Sequence, residues 1–435
     1  MNNRLFKLFY KTHIYVGIFV SLHLLVLTLT GSILLFKDEI EGHESHEEHI
    51  AAGALPQIDT FFQNMLQKYP NERPLALSIE EADHDIAQLR LGKDNSKMFR
   101  GSRRVYFDTK TGLEVEAPKK TGSFMEAVLI LHREFFLGSN GKIYVGLIGL
   151  LYAFTLISGF FIYGNFSKKT KFGEIRQQSA RTFSGDLHRF LGMTVFAWGL
   201  LIAITGLFLG LSSTLIKVYQ FSELKKLTAQ YPTAPSGPRA SLDKVLESAQ
   251  KALPESSFDY LAFADTQFSP PGHHLVLMHG NTAFTERLVE VVVIDAVTGE
   301  LTEVRALPWY LKFTMLSEPL HFGNYGGLFL KLVWLTLSLI SLALPILGIY
   351  IWWDRRRKSK KAAASEKKAN ILLWTSGLFQ RAYLVPTTLM VISALAIVGS
   401  FVTHGAMNPV FVSGLLVPVY FSVRVLWTWI RGPRK

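Results

Sequence analysis

Apolar residues in this chain are gathered into long blocks, and the polar stretches between them carry shorter periodic patterns. Six blocks reach the roughly 20 residues needed to cross a hydrocarbon core: Ile14–Phe36, Ile143–Tyr163, Phe190–Leu211, Leu328–Trp353, Tyr383–Val402 and Val410–Ile430. Two long polar segments interrupt them. Each opens on a helix-period stretch, Ile58, Phe61, Phe62, Met65 and Leu66 in the first and Leu242, Val245, Leu246 and Ala249 in the second. Each passes into strand-like runs, of which Leu275–Met278 and Leu288–Ile294 are the clearest. Each closes on Asp-x-x-Thr-Gly (Asp108, Thr111, Gly112; Asp295, Thr298, Gly299), a turn signature in which Asp caps and Gly takes the left-handed position. The pattern predicts an α-helical integral membrane protein with six transmembrane helices and two small α+β domains.

The expected order is a tail and first span over 1–36, a first domain over 37–142, and two spans joined by a loop over 143–211. A second domain follows over 212–327, then a fourth span over 328–353, a basic loop over 354–382, and two last spans over 383–435. No small-x-small site closes the first block before Lys37-Asp38-Glu39, so it is expected to stay as a span.

The chain also repeats itself. His13, Gly17, Thr30 and Gly31 return at one constant offset as His188, Gly192, Thr205 and Gly206. Leu131, His132, Gly138 and Gly159 return at another as Leu320, His321, Gly327 and Gly348. Glycine spacing alone arises easily between apolar helices. Four histidines in phase with it do not, because ionisable groups at membrane depth are costly and usually functional.

The 435 residues carry a net charge of +12, which would suit nucleic acid if it were spread over a soluble domain. Instead it crowds at Arg4, Lys7 and Lys11; at Lys168, Lys169, Lys171, Arg176 and Arg181; at Arg355–Lys361; and at Arg431, Arg434 and Lys435. These clusters flank alternate ends of the apolar blocks, which places both termini in the cytoplasm and the two polar segments outside. Nucleic acid is not an expected partner; the lipid bilayer is. Cysteine is absent, which excludes disulfides, thiolate metal sites and covalent haem attachment, and fits a bacterial inner membrane protein. No Gly-x-Gly-x-x-Gly follows a strand, so no flavin or nicotinamide domain is expected.

Helix, strands, Asp-x-x-Thr-Gly, Leu-His, an apolar helix and the stop Trp352-Trp353-Asp354-Arg355-Arg356, preceded by a His-x-x-x-Gly helix ending in Thr-Gly and Phe36-Lys37-Asp38-Glu39, resemble the PepSY domain with its associated transmembrane helices. The resemblance covers roughly residues 4–357. It is to FoxB/PiuB-like members, and it implies a link to siderophore iron uptake and an inner-membrane di-haem reductase of ferric siderophores.

Neutral imidazole is a good axial ligand for haem iron, and facing helices can supply one ligand each. His13 and His188, near the cytoplasmic ends of the first and third spans, are candidates for one haem. Gly17 and Gly192, one turn on, would offer a smooth surface against which a porphyrin or a neighbouring helix could lie. His132 and His321, with breaks expected at Gly138 and Gly327, are candidates for a second. Interfacial or structural histidines are the alternative for both pairs. His23 lies about 15 Å beyond His13 along the helix and has Trp198 as its repeat equivalent; it and His404 are alternative ligands. His43, His46 and His49 form an outward cluster beside carboxylates that would suit a divalent metal if a loop gathered them, although a solvated polar connector is the better reading of them.

The expected function is therefore a haem b oxidoreductase holding two non-covalent bis-His haems and passing electrons outward to a ferric siderophore. Its electron donor would be quinol or a separate cytoplasmic reductase. A PepSY-type membrane sensor or regulator, or a metal or siderophore transporter, are the alternatives.

Overall fold

The computed structural model describes residues 3–41, 58–80, 83–109, 111–116, 124–167, 170–233, 236–282, 285–359, 377–403 and 408–430. In chain order the elements begin with α1 (Asn3–Leu34), α2 (Lys37–Glu41), α3 (Ile58–Lys68), β1 (Arg73–Glu80), β2 (Asp83–Gly92), β3 (Arg103–Asp108) and β4 (Glu114–Val115). There follow α4 (Phe124–Glu134), α5 (Gly138–Ser167), α6 (Ala180–Thr194), α7 (Phe196–Tyr219), α8 (Lys225–Gln230) and α9 (Leu242–Ala252). The rest are β5 (Ser256–Ala262), β6 (His273–Gly280), β7 (Val289–Asp295), β8 (Leu301–Ala306), α10 (Trp309–Phe322), α11 (Gly327–Ser359), α12 (Gly377–Val402), α13 (Asn408–Gly414) and α14 (Leu416–Ile430). They divide into a helical unit (Met1–Lys37, Phe124–Leu211, Ser317–Lys435) and a sheet unit (Asp38–Ser123, Ser212–Leu316).

Five helices in the described residues are long and apolar enough to cross a membrane: Arg4–Leu34, Gly138–Ser167, Phe196–Gln230, Asn324–Arg357 and Tyr383–Val402. Leu22, Phe154 and Leu395 are exposed on them, as lipid-facing side chains should be. The sixth expected span differs. It is divided between α13 and α14 by a turn after Gly414, and neither piece reaches spanning length. The third span is also broken, at Val195, so His188 rides on α6 rather than on the spanning helix α7.

Within the helical unit α1 packs on α4, α5 and α11, and α6 packs on α11. Backbones meet where α5 crosses α7, since a Cβ on Gly210 would fall 2.6 Å from the Gly146 Cα. Small residues let helices approach in lipid, where no hydrophobic force drives them together. The core joins Phe190, Trp198, Leu330, Trp334 and Leu344 to Ala396, Ile397, Val412 and Leu415, so α12–α14 complete it. Tyr383 of α12 donates its hydroxyl to Phe160 O at 2.8 Å and accepts from Gly164 N–H at 2.9 Å.

The sheet unit differs from the two separate domains expected. Its eight strands form one antiparallel sheet, β4-β3-β2-β1-β5-β6-β7-β8, in which the two sequence segments join through β1 and β5. An unpaired edge exposes a row of main-chain donors and acceptors, and pairing these two edges satisfies both. α3 and α9 lie on one face, burying Phe61 and Met65 and Val245 and Leu246 against Leu77, Leu89, Phe107, Val276 and Val292. Both Asp-x-x-Thr-Gly turns form as read. Asp108 Oδ1 accepts the Thr111 N–H at 2.6 Å, Asp295 Oδ1 accepts the Thr298 N–H at 2.8 Å, and Gly112 and Gly299 have φ of 67° and 68°.

Candidate functional site

The helical unit brings the four repeated histidines together as two pairs. The rings of His13 and His188 have centroids 6.2 Å apart, and those of His132 and His321 are 6.3 Å apart. α4 and α10 are short helices ending just before Gly138 (φ 60°) and Gly327 (φ 61°), a backbone region open to glycine, so each carries its histidine up to the start of a long helix.

Each ring is anchored through Nδ1. His13 Nδ1 lies 2.9 Å from Thr155 O and His188 Nδ1 lies 3.2 Å from Leu344 O. A carbonyl only accepts, so these nitrogens carry the proton. His132 Nδ1 lies 2.9 Å from Thr30 Oγ1, and His321 Nδ1 lies 3.0 Å from Thr205 Oγ1. Both threonine hydroxyls give their own proton to a carbonyl one turn back, Val26 and Leu201 respectively, both at 2.7 Å. They therefore accept from Nδ1, and all four histidines are left with the lone pair on Nε2. This is the tautomer that second-shell partners impose on metal-bound histidine.

Glycines make room for the rings. A Cβ on Gly159 would sit 3.0 Å from His13 Cε1, on Gly31 3.1 Å from His132 Cε1, on Gly206 3.2 Å from His321 Cε1 and on Gly348 3.6 Å from His188 Cε1. Gly17 and Gly192 face Thr155 of α5 and Leu344 of α11 at ordinary contact distance, so their smooth surface lies against a neighbouring helix. The glycines at the rings themselves are not the ones at i+4 on the same helix. Their signal was their place in the same repeat.

The two ring separations match what two imidazoles holding one metal ion between them would require. A metal–imidazole bond is about 2 Å and a ring nitrogen lies roughly 1 Å from its ring centre, so two imidazoles flanking one metal ion have centres about 6 Å apart. Each of the four histidines is partly buried. Among the groups outside the spans, burial holds His132 at about 4; burial with His13 beside it holds His188 at about 4; burial with His132 beside it holds His321 at about 3. All three are neutral at physiological pH, the form that binds metal.

α6 is fixed by a buried ion cluster. Asp186 accepts Arg176 N–H, Nε and Nη2, each at 3.0 Å, and also binds Arg189. This ties the preceding loop to the turn before His188. Burial pushes the Asp186 carboxyl up, but Arg176 and Arg189 outweigh it and hold it below the usual range.

His23 stands apart. Its Nδ1 donates to Phe19 O at 3.1 Å, and its Nε2 accepts the Tyr144 hydroxyl at 2.6 Å, leaving no free nitrogen. In this arrangement neither nitrogen of His23 is open to a ligand. His43, His46, His49 and His404 lie outside the described residues. His274, in the sheet unit, accepts the Ala264 N–H at 3.2 Å and is a core histidine. Among the described residues no group of three or more His, Cys, Asp or Glu is placed to hold a metal ion.

No curated protein matches the chain. The family described as the PepSY-associated TM region matches residues 10–355, which contain both histidine pairs and most of the chain. The chain is a multi-pass membrane protein and belongs to the PepSY-associated TM region family.

Proposed function

We propose that this is a bacterial inner-membrane, FoxB/PiuB-like oxidoreductase that holds two non-covalent haem b groups and passes electrons outward to reduce a ferric siderophore. The observation that carries the reading is the pairing of four histidines at 6.2 and 6.3 Å, each with Nδ1–H bound to a protein oxygen and Nε2 left free. His13 and His188 would hold one haem, and His132 and His321 the other. Haem iron, when bound, supplies one-electron transfer between its ferric and ferrous states. The polypeptide does the rest: Thr155 O, Leu344 O, Thr30 and Thr205 set the tautomer, and the four facing glycines admit the rings.

The basic clusters support a topology with both termini in the cytoplasm and the sheet unit in the periplasm. His13 and Thr30 of α1 then belong to opposite ends of one span, so the two sites offer an electron path from the cytoplasmic side outward. Quinol or a separate cytoplasmic reductase would deliver the electrons. The outward reaction is addition of one electron to a siderophore-bound Fe(III), giving Fe(II). The softer ion of lower charge binds hard oxygen donors less well and is released.

The test is anaerobic reoxidation. Dithionite-reduced protein should be reoxidised by a ferric siderophore, with ferrozine capturing Fe(II), and the His132 and His321 variants should fail. Protein purified without haem would favour a sensor or transporter. Reduced protein that ignores every ferric chelate while reducing other acceptors would remove the siderophore from the reading.

A further inference from the structure

The two halves of the sheet treat the face opposite α3 and α9 differently. On β6 and β7 that face carries Leu275, Leu277, Val291 and Val293, which pack with Leu224, Leu227, Leu307 and Leu311. The pairing Ala262–Leu275 and Ala76–Ala262 carries the same face across β5 and β1 to β2 and β3. There it becomes polar: Ala76 stands opposite Arg90, Ser78 opposite Gln88, Arg90 opposite Arg104, and Gln88 opposite Tyr106.

Arg90 and Arg104 are therefore directly cross-strand. Like charges so placed repel and weaken a sheet. Among the described residues no carboxylate forms an ion pair with either. Their neighbour Arg103 shows the usual arrangement, with Nε 3.1 Å from Glu72 Oε1. Arg90 is half-buried and its guanidinium lies over the Phe99 ring at 5.2 Å, with Phe99 in turn edge-on to Phe268 at 4.8 Å. Burial and the charge of Arg104 both press on Arg90, while the Tyr260 and Tyr106 phenols are the nearby groups that favour its charge. An arginine held in place by a ring, with an exposed arginine opposite and no acid among the described residues paired with either, is suited to an anion.

We propose that this face, centred on Arg90 and Arg104 and bordered by Gln88, Tyr106 and Tyr260, docks a small anionic iron chelate with aromatic donor groups. This rests on the ferric-siderophore reading and narrows its substrate class. Two guanidinium groups complement the negative charge of a tris-catecholate iron complex, and the exposed, planar guanidinium of Arg104 can stack on its aromatic donors. A cationic or neutral trihydroxamate complex gains nothing from these arginines and would be repelled or ignored.

Gallium(III) chelates test this without electron transfer, because Ga(III) mimics Fe(III) but is not reduced under these conditions. Full-length protein in phosphatidylcholine nanodiscs should bind a trianionic gallium tris-catecholate, weakening with added salt, and should not bind a cationic gallium trihydroxamate. Arg90→Gln and Arg104→Gln should each weaken binding about tenfold. Arg104→Glu should abolish binding yet keep or raise the melting temperature, because it replaces a repelling cross-strand pair with an attracting one. Equal binding of both chelates, or binding unchanged in Arg104→Glu, would overturn the proposal. So would loss of binding to phosphatidylglycerol vesicles in these variants without any chelate binding, which would identify a lipid contact. Loss of reductase activity with gallium binding intact would count against the haem reading alone.

Discussion

Thr30 accepts the Nδ1–H of His132 at 2.9 Å only because its own hydroxyl proton goes to Val26 O. Thr205 stands in the same relation to His321 and Leu201. Thr30→Val and Thr205→Val keep the shape and remove the acceptor. Leaving a buried donor unmatched costs about 1–3 kcal/mol, and losing a partner behind a metal-bound histidine lowers affinity roughly 10–100-fold. Each variant should lose haem from the His132–His321 site, and that site alone, in a pyridine haemochrome titration. Unchanged haem content and midpoint potential in both would refute the tautomer argument.

Ligand assignment separates by pairs. His13→Ala and His188→Ala should abolish one and the same haem signal, and His132→Ala and His321→Ala the other, from a wild type containing about two haems per chain. His23→Ala should retain both, because both its nitrogens are occupied by Phe19 O and Tyr144. A haem lost with His23 would reinstate it as a ligand.

The glycines make an uneven prediction. A methyl on Gly159 would lie 3.0 Å from His13, whereas one on Gly348 would lie 3.6 Å from His188, an ordinary contact. Gly159→Ala should perturb the optical spectrum of the His13–His188 site, and Gly348→Ala should leave it nearly unchanged. Equal effects would show that the two rings are not seated as described.

Asp186 predicts acid sensitivity. Its carboxyl is depressed in the folded protein, so its contribution is fully present above the ordinary carboxylate value and disappears as pH falls through the lower folded value. Thermal melts in detergent should therefore lose stability below about pH 4. Asp186→Asn should flatten that limb and cost roughly 3 kcal/mol, since it leaves the arginines around a buried neutral amide. A wild-type melting curve flat through this range would contradict the assignment.

Sidedness is tested by reporters active only in the cytoplasm. Fusions after Lys361 or at Lys435 should be active, and fusions near Gly112 or Gly299 silent. Activity at the latter two would reverse the electron direction.

What the sequence determined by itself is what local physics controls. Lipid forces each backbone to satisfy its own hydrogen bonds, so apolar blocks of sufficient length had to be helices. The Val410–Ile430 block is the exception, since it divides after Gly414. The Asp-x-x-Thr-Gly turns were legible because the cap and the left-handed glycine act within five residues. The repeat marked His13, His188, His132 and His321 as related, but not what each ring touches. Which glycine faces which imidazole depends on how α1 rotates against α5 and α6 against α11, a property of two helices that neither sequence contains. His23 looked like its neighbours until Tyr144, distant in sequence, closed its second nitrogen. Fusion of the two polar segments into one sheet was equally out of reach, since any edge strand can pair with another and only the three-dimensional arrangement selects β1 with β5. The same holds for Arg90 and Arg104, whose opposition is a matter of strand register, because a slip of one residue would have turned either to the other face.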